Sequence, residues 1–389
     1  MKILTSALHT FPIAGPAPRE AVLVILRDEA GRMGVGEAAP IPGFTRETFD
    51  GVVRALDVSS ASIDQVDDDV PAFEAIARAL APHGALLEAF PSARFAIETA
   101  LLDLLARRCG CDVATFLRSA TRAAARAACK CPHPPSADRA PLEASALLTT
   151  AHDPPALVKA GLHAVARGFR TLKVKLRATD DASLDREIES LTALRYAVPS
   201  ATLRLDPNGR WSVPDARRFL ARLAPLGPLF VEQPVCPDDL ADLGPCAVPW
   251  AADESLHHAG IAPGDRVAAP HLTGQSGCAA FVVKPAALGI RGALACADLA
   301  VSRGLPVVVT HFMDGPVGLA AACELALSLE PSPLPCGLDP HEGLRDLDPG
   351  ALPHHEQPAR VRATGRPGLG FSDAALASFL DTTQAVWSR

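Results

Sequence analysis

The chain is poor in several residue types. It has one tyrosine, Tyr196, one asparagine, Asn208, and aromatic residues make up only 5% of its 389 positions. Lysine is scarce too: of 37 basic residues only six are lysines, at positions 2, 130, 159, 173, 175 and 284. No basic stripe accompanies the net charge of −7, which argues against nucleic acid as a partner. No uninterrupted apolar run reaches the ~18 residues of a membrane span, so no membrane partner is expected. The opening MKILTSALHTFPIAGP is broken by His9 and Pro12 and makes a poor export signal, which points to a cytoplasmic protein. Without such a signal, the ten cysteines read as buried thiols rather than a disulfide framework. The close pairs Cys109/Cys111 and Cys129/Cys131 lack the two-residue gap of a zinc or redox motif. No phosphate loop is present.

What is there is a globular composition, 48% hydrophobic and 21% charged. The chain is rich in alanine, arginine and proline, as if arginine had replaced lysine wherever charge alone is needed. A lysine that survives is then a candidate for chemistry arginine cannot perform. Arginine stays protonated, whereas a buried lysine can titrate.

The first 140 residues read as a small α+β unit. Ile3–Leu8 and Ala21–Leu26 are strand-like, the second ending in the turn signal Asp28–Gly31, and a third strand is expected before Gly36–Glu37. Ser92 is a plausible N-cap for a helix over Ala93–Arg108 that Gly110 stops. A proline-rich stretch, Cys131–Pro141, looks like a linker. From about residue 144 short apolar runs alternate with helical patterns, such as Leu184, Ile188, Leu191 and Leu194. The runs end at 149, 175, 206, 232, 253, 284, 310 and 338. Eight β-then-α units at this pitch predict a (β/α)8 barrel; an open doubly wound sheet would need a glycine-rich phosphate loop. A last short helix is expected over Asp373–Leu380.

Active sites of such barrels lie at the C-terminal ends of the strands. The residues there are Lys173 and Lys175, then Asp206, Glu232, Asp253 and Lys284. Singly each has a bland explanation: a Lys-x-Lys strand is usually a solvated edge, and an acid at a strand end often caps the next helix. Together, three acids on consecutive strands repel one another unless a cation sits between them, and an all-oxygen set suits Mg2+. The lysines end the second and sixth strands, on opposite sides of an eight-strand ring. Lys173 and Lys175 point the same way, so each is expected to lower the other's pKa. A substrate carboxylate on the metal, a lysine removing the adjacent carbon-bound proton, and a stabilised enediolate are the chemistry this set suits.

The stretches LKVKL (172–176), LRLDPNGRW (203–211), FVEQP (230–234), WAADESL (250–256) and VVKP (282–285) resemble the muconate-lactonizing subgroup of the enolase superfamily. PGLGF (367–371) also resembles the subgroup, and within it GVGEAAPIPGFTRET (34–48) is most similar to the o-succinylbenzoate synthases. The resemblance implies a modified TIM barrel, (β/α)7β, over 140–345, an α+β capping domain over 1–135, and a segment over 346–389 returning to it. It implies Asp206, Glu232 and Asp253 as Mg2+ ligands, with Mn2+ a possible substitute. It implies Lys175 as the base, Lys284 as the opposite charge and Lys173 as a tuner of Lys175. Arg204, Asn208 and Glu254 would steady these groups from behind. Phe44, on a lid, with Gly289, Met313 and Asp314, would contact the substrate. That substrate would be a small carboxylate, a succinyl-hydroxycyclohexadiene carboxylate dehydrated to o-succinylbenzoate in menaquinone synthesis. Residues 310–315 (THFMDG) depart from the subgroup's serine-rich pattern. They also hold one acid, where dipeptide epimerases have two flanking one residue for a substrate ammonium. The rivals are an N-acylamino acid racemase or dipeptide epimerase using both lysines, a muconate-type cycloisomerase, and a barrel that binds without catalysis. Oligomeric state is not legible.

Overall fold

The computed structural model describes residues 1–14, 18–60, 63–64, 66–67, 70–121, 139–149, 151–262, 267–345, 347 and 349–388. Most of the expected linker, with Cys129 and Cys131, lies outside them. Three strands open the chain: β1 (Ile3–Ile13), β2 (Arg19–Asp28) and β3 (Met33–Ala38). After β4 (Leu142–Glu143) come β5 (Ser145–Leu148), β6 (Thr171–Lys175), β7 (Thr202–Asp206), β8 (Phe230–Glu232), β9 (Trp250–Ala252), β10 (Cys278–Val283) and β11 (Val307–Val309). Two short strands close the chain, β12 (Arg360–Val361) and β13 (Gln384–Ser388).

The N-terminal sheet is antiparallel, in the order β13-β1-β2-β3. Asp28 builds its hairpin: one carboxylate oxygen accepts the N–H groups of Ala30 and Arg32, and Gly31 takes the positive φ of 75°. β1 runs on through His9 and Pro12, further than the expected Leu8. β13 pairs only with residues 7 to 10 of β1, so the N–H that Pro12 lacks is not needed on that side. The third strand contains Gly36–Glu37 rather than preceding it. The helix Pro91–Cys109 covers this sheet, and Gly34 and Gly36 let its backbone close in. The helix begins at Pro91, so Ser92 is no N-cap; its hydroxyl and N–H both donate to Glu47. Gly110 ends it in the left-handed conformation, as expected. The C-terminal segment returns here, with the Leu369 N–H on Asp103 and β13 on β1.

β5 to β11 form one parallel sheet of seven strands in sequential order. The expected eighth strand, 334–338, is no strand: it joins each edge through an isolated bridge, Ala144 to Cys336 and Thr310 to Gly337. Pro333 and Pro335 flank and interrupt this stretch. The bridges nonetheless curl the sheet into the expected modified barrel. Caps start its helices where the pattern changes: Asp153 for Pro154–Ala166, Asp180 for Asp181–Ala197 and Ser212 for Val213–Leu223. The helix Asp373–Leu380 is as expected, and Ser372 caps it.

Helix Pro285–Ser302 is long and apolar enough to cross a membrane by composition. Here it packs on β10 and on Pro91–Cys109, with Ala293, Cys296, Ala297 and Ala300 buried. Cys278, Cys296, Cys323 and Cys336 are buried thiols, but Cys109 is disulfide-bonded, which corrects the reading of all ten as thiols.

Candidate active site

The period of two along a strand sorts the barrel interior into layers. Arg204, Phe230, Ala251, Val282 and Val308 point inward, and four of them, with Ala280, form an apolar plug separate from the main core. Arg204 lies over the Phe230 ring at 5.1 Å and donates to the Pro335 carbonyl at 2.7 Å. Two residues further along the same strands stand Asp206, Glu232, Asp253 and Lys284, with Lys175 beside them on β6. Leu172 and Val174 are buried on the opposite face, so Lys173 and Lys175 both turn inward.

The five strand ends thus read Lys, Asp, Glu, Asp, Lys across β6 to β10. The Lys175 ammonium donates to Asp206 at 2.6 Å and to the Asn208 side chain at 2.8 Å. Lys173 lies 2.8 Å from Asp206 and also bonds Glu232. At the far end Lys284 donates to Asp253 at 2.5 Å, with Glu254 at 3.7 Å and the Phe312 ring centroid at 5.3 Å. Asn208 holds a left-handed φ of 53°, its N–H on Asp206 and its amide 3.4 Å from Glu254. All three acids are buried.

Among the described residues, no three acidic, His or Cys side chains already stand as a set for one ion. The lysine ammonium groups lie between the carboxylates and balance their charge. Asp253 Oδ1 is nevertheless buried without a hydrogen-bond partner, and an orphaned carboxylate oxygen in an all-oxygen set fits a hard divalent cation.

Burial and charge pairing compete across the site. Burial pushes Glu232 up to about 8 against the pull of Lys173, with Asp206 and Asp253 adding to the rise. Lys175 is pushed down, first by burial and then by the charge of Lys173. Lys173 moves the other way: burial lowers it, but Asp206 and Glu232 push it above the ordinary lysine value. Lys284 also rises, because Asp253 and Glu254 outweigh its burial.

The four expected substrate contacts fall on three separate segments of the chain. Phe44 lies in the turn after Ile41 and is 69% exposed. Gly289 breaks the helix Pro285–Ser302 with φ 70°, and a side chain there would meet Glu98 and Arg94 of the N-terminal unit. Asp314 is buried, accepts the Phe312 N–H at 2.9 Å and faces Arg19 and Glu37. Met313 takes a φ of 55°, and its carbonyl accepts from Arg19.

Two site residues escaped the sequence reading. The Gln233 amide ties β8 to the start of the helix Glu254–His258, accepting the Asp253 and Ser255 N–H groups and donating to Ser255 Oγ. Its position beside Glu232 was the available signal. His257 stands 3.7 Å from Asp253 Oδ1 and is pushed down to about 3 by burial, with Lys284 and His258 adding to the fall. One helical turn after a strand-ending acid is the spacing that could have found it.

The geometry sets a row of three carboxylates between lysines on one rim of a barrel. A family model described as Enolase C-terminal domain-like matches residues 156–373, and the chain belongs to the enolase superfamily. The chain is 35% identical over 212 residues to the o-succinylbenzoate synthase of Mycobacterium ulcerans, a match spanning 51% of this chain and 61% of that relative. Among solved structures it resembles the mandelate racemase/muconate lactonizing enzyme from Roseiflexus sp., with a TM-score of 0.71 at 27% identity over 87% of this chain and 88% of that one. It also resembles the dipeptide epimerase from Methylococcus capsulatus complexed with Mg and L-Arg-D-Lys, with a TM-score of 0.73 at 25% identity over 95% and 99%.

Proposed function

We propose that this chain is an o-succinylbenzoate synthase, a Mg2+-dependent lyase that dehydrates a succinyl-hydroxycyclohexadiene carboxylate in menaquinone synthesis. The observation that carries the reading is the acid row of Asp206, Glu232 and Asp253 flanked by Lys175 and Lys284 from strands four apart. Asp206, Glu232 and Asp253 would hold Mg2+, or Mn2+ in its place. When bound, the ion supplies a Lewis acid for the substrate carboxylate. Lys175, lowered by burial and by Lys173, removes the proton next to that carboxylate. The electron pair moves into the ring system, and the allylic carbon–oxygen bond breaks. The Lys175 ammonium returns the proton to the departing hydroxide, so water leaves and the ring becomes aromatic. Lys284, buried between Asp253 and Phe312, keeps its charge opposite Lys175 and stabilises the enolate.

Epimerisation of an N-acylated amino acid or dipeptide is the second reading, favoured by the structural likeness to a dipeptide epimerase. A dipeptide substrate needs an acid for its ammonium, whereas an N-acylated amino acid carries none. Asp314, the one acid of the 310–315 loop, is taken up by the Phe312 N–H and faces Arg19. The test is an assay of the purified protein with Mg2+ on the cyclohexadiene substrate beside a panel of N-succinyl amino acids and dipeptides. Dehydration far above any epimerisation supports the synthase. Epimerisation without dehydration overturns it.

A further inference from the structure

Between the end of β11 and the helix Pro316–Ser328, residues 310–315 carry Phe312, whose ring faces Lys284. This loop holds a strained residue: Met313 adopts a φ of 55°, a conformation that a side-chain-bearing residue keeps only when its surroundings enforce it. Within the loop the Phe312 N–H donates to Asp314 and the Asp314 N–H to His311, and two further contacts come from the other end of the chain. Arg19, the first residue of β2, donates from Nη2 to the carbonyls of Phe312 at 3.1 Å and Met313 at 2.7 Å. Its Nε donates to the Ala39 carbonyl at 3.2 Å, just past β3. One planar guanidinium therefore ties the N-terminal sheet to both carbonyls around the strained position. The Asp314 and Glu37 carboxylates supply the opposing charge. On the far side of the same backbone, the Phe312 ring stands 5.3 Å from the Lys284 ammonium.

We propose that Arg19 is a positioning residue for the reaction, holding Phe312 in place against Lys284 from the N-terminal sheet. The inference rests on the reading of Lys284 as the charge that faces the enolate. Arg19 acts on chemistry only through the loop. A lysine cannot replace it, because a compact ammonium lacks the fixed fork that spans three carbonyls.

A double-mutant cycle on kcat tests the route. Arg19→Met and Arg19→Lys are expected to lower kcat about tenfold with the fold retained by circular dichroism, and Phe312→Leu by a similar factor. Arg19→Met combined with Phe312→Leu is expected to be no slower than Phe312→Leu alone. Multiplied losses in the combined variant overturn the proposal, as does full activity in Arg19→Lys. A second readout needs no substrate. With para-fluorophenylalanine at position 312, the fluorine resonance is expected to shift toward its solvent value on Arg19→Met. An unchanged resonance overturns the proposal even in an active enzyme. A wild-type chain that does not dehydrate the substrate counts against the synthase reading alone, and the fluorine signal still judges Arg19.

Discussion

Replacing each facing lysine by arginine separates a one-base reaction from a two-base one. Lys284 donates to Asp253 at 2.5 Å and lies over the Phe312 ring, contacts that a guanidinium can also make. Lys284→Arg keeps the charge and changes only its shape. The expected loss in kcat for dehydration is about tenfold to a hundredfold, or ~1.4 to 2.8 kcal/mol of barrier. Lys175 must give up its proton before it can act as a base, and arginine does not. Lys175→Arg is therefore expected to remove the full general-base contribution, about 10²- to 10⁴-fold. The assay is the initial rate of aromatic product formation by ultraviolet absorbance under saturating Mg2+, with circular dichroism as the check on folding. Equal losses in the two variants would refute the assignment of one base and one fixed charge. So would substantial activity in Lys175→Arg.

Glu37 is buried, accepts the N–H groups of Gly315, Val317 and Gly318, and is pushed from 4.5 up to about 7 by burial and by Asp314. Its folded pKa is raised, so the folded chain holds the proton more tightly than the unfolded one, and this stabilisation fades as pH rises from about 4.5 to 7. Glu37→Gln should flatten that fall, worth on the order of 3 kcal/mol, in urea midpoints at pH 5, 6 and 7; parallel curves would show the shift to be absent. Gly36→Ala would put a methyl 1.8 Å from the Ala96 carbonyl oxygen, and an unfolding free energy lowered by about 3 kcal/mol in a urea titration is expected. Gly84→Ala meets open space and should be neutral or slightly stabilising in the same titration. Chelation of divalent ions should abolish turnover and Mg2+ restore it, and Asp253→Asn should raise the Mg2+ concentration for half-activity at least about tenfold. An Asp253→Asn enzyme with unaltered Mg2+ dependence would remove Asp253 from the proposed ligand set.

Parts of the site were legible in sequence because they depend on local rules. The two-residue period that puts Lys173 and Lys175 on one face also puts Arg204 below Asp206 and Phe230 below Glu232. Asp206 and Glu232 end their strands and Asp253 follows β9 directly, strand ends that the apolar runs mark in the sequence. The Ser92 cap failed because the buried Glu47 claims that serine, a contact 45 positions away. The closing segment 334–338 was misread because its apolar character suits a strand, while only bridges form there. Gly289 and Asp314 also face the N-terminal unit, a proximity that a family pattern along one strand end does not carry.

The residue order by itself determined the run of parallel strands, the acids and lysines at their ends and the inward face they share, since alternation and capping act over a few neighbouring positions. Tertiary structure alone decided which charges compensate which, because Lys173 reaches Glu232 across 59 positions, and which groups brace the loop beside Lys284, because Arg19 meets Met313 across 294. Those pairings depend on how a sheet curls and on which surface the N-terminal unit covers. Burial and Coulomb energies act through space, and the spacing of letters along the chain does not encode those distances.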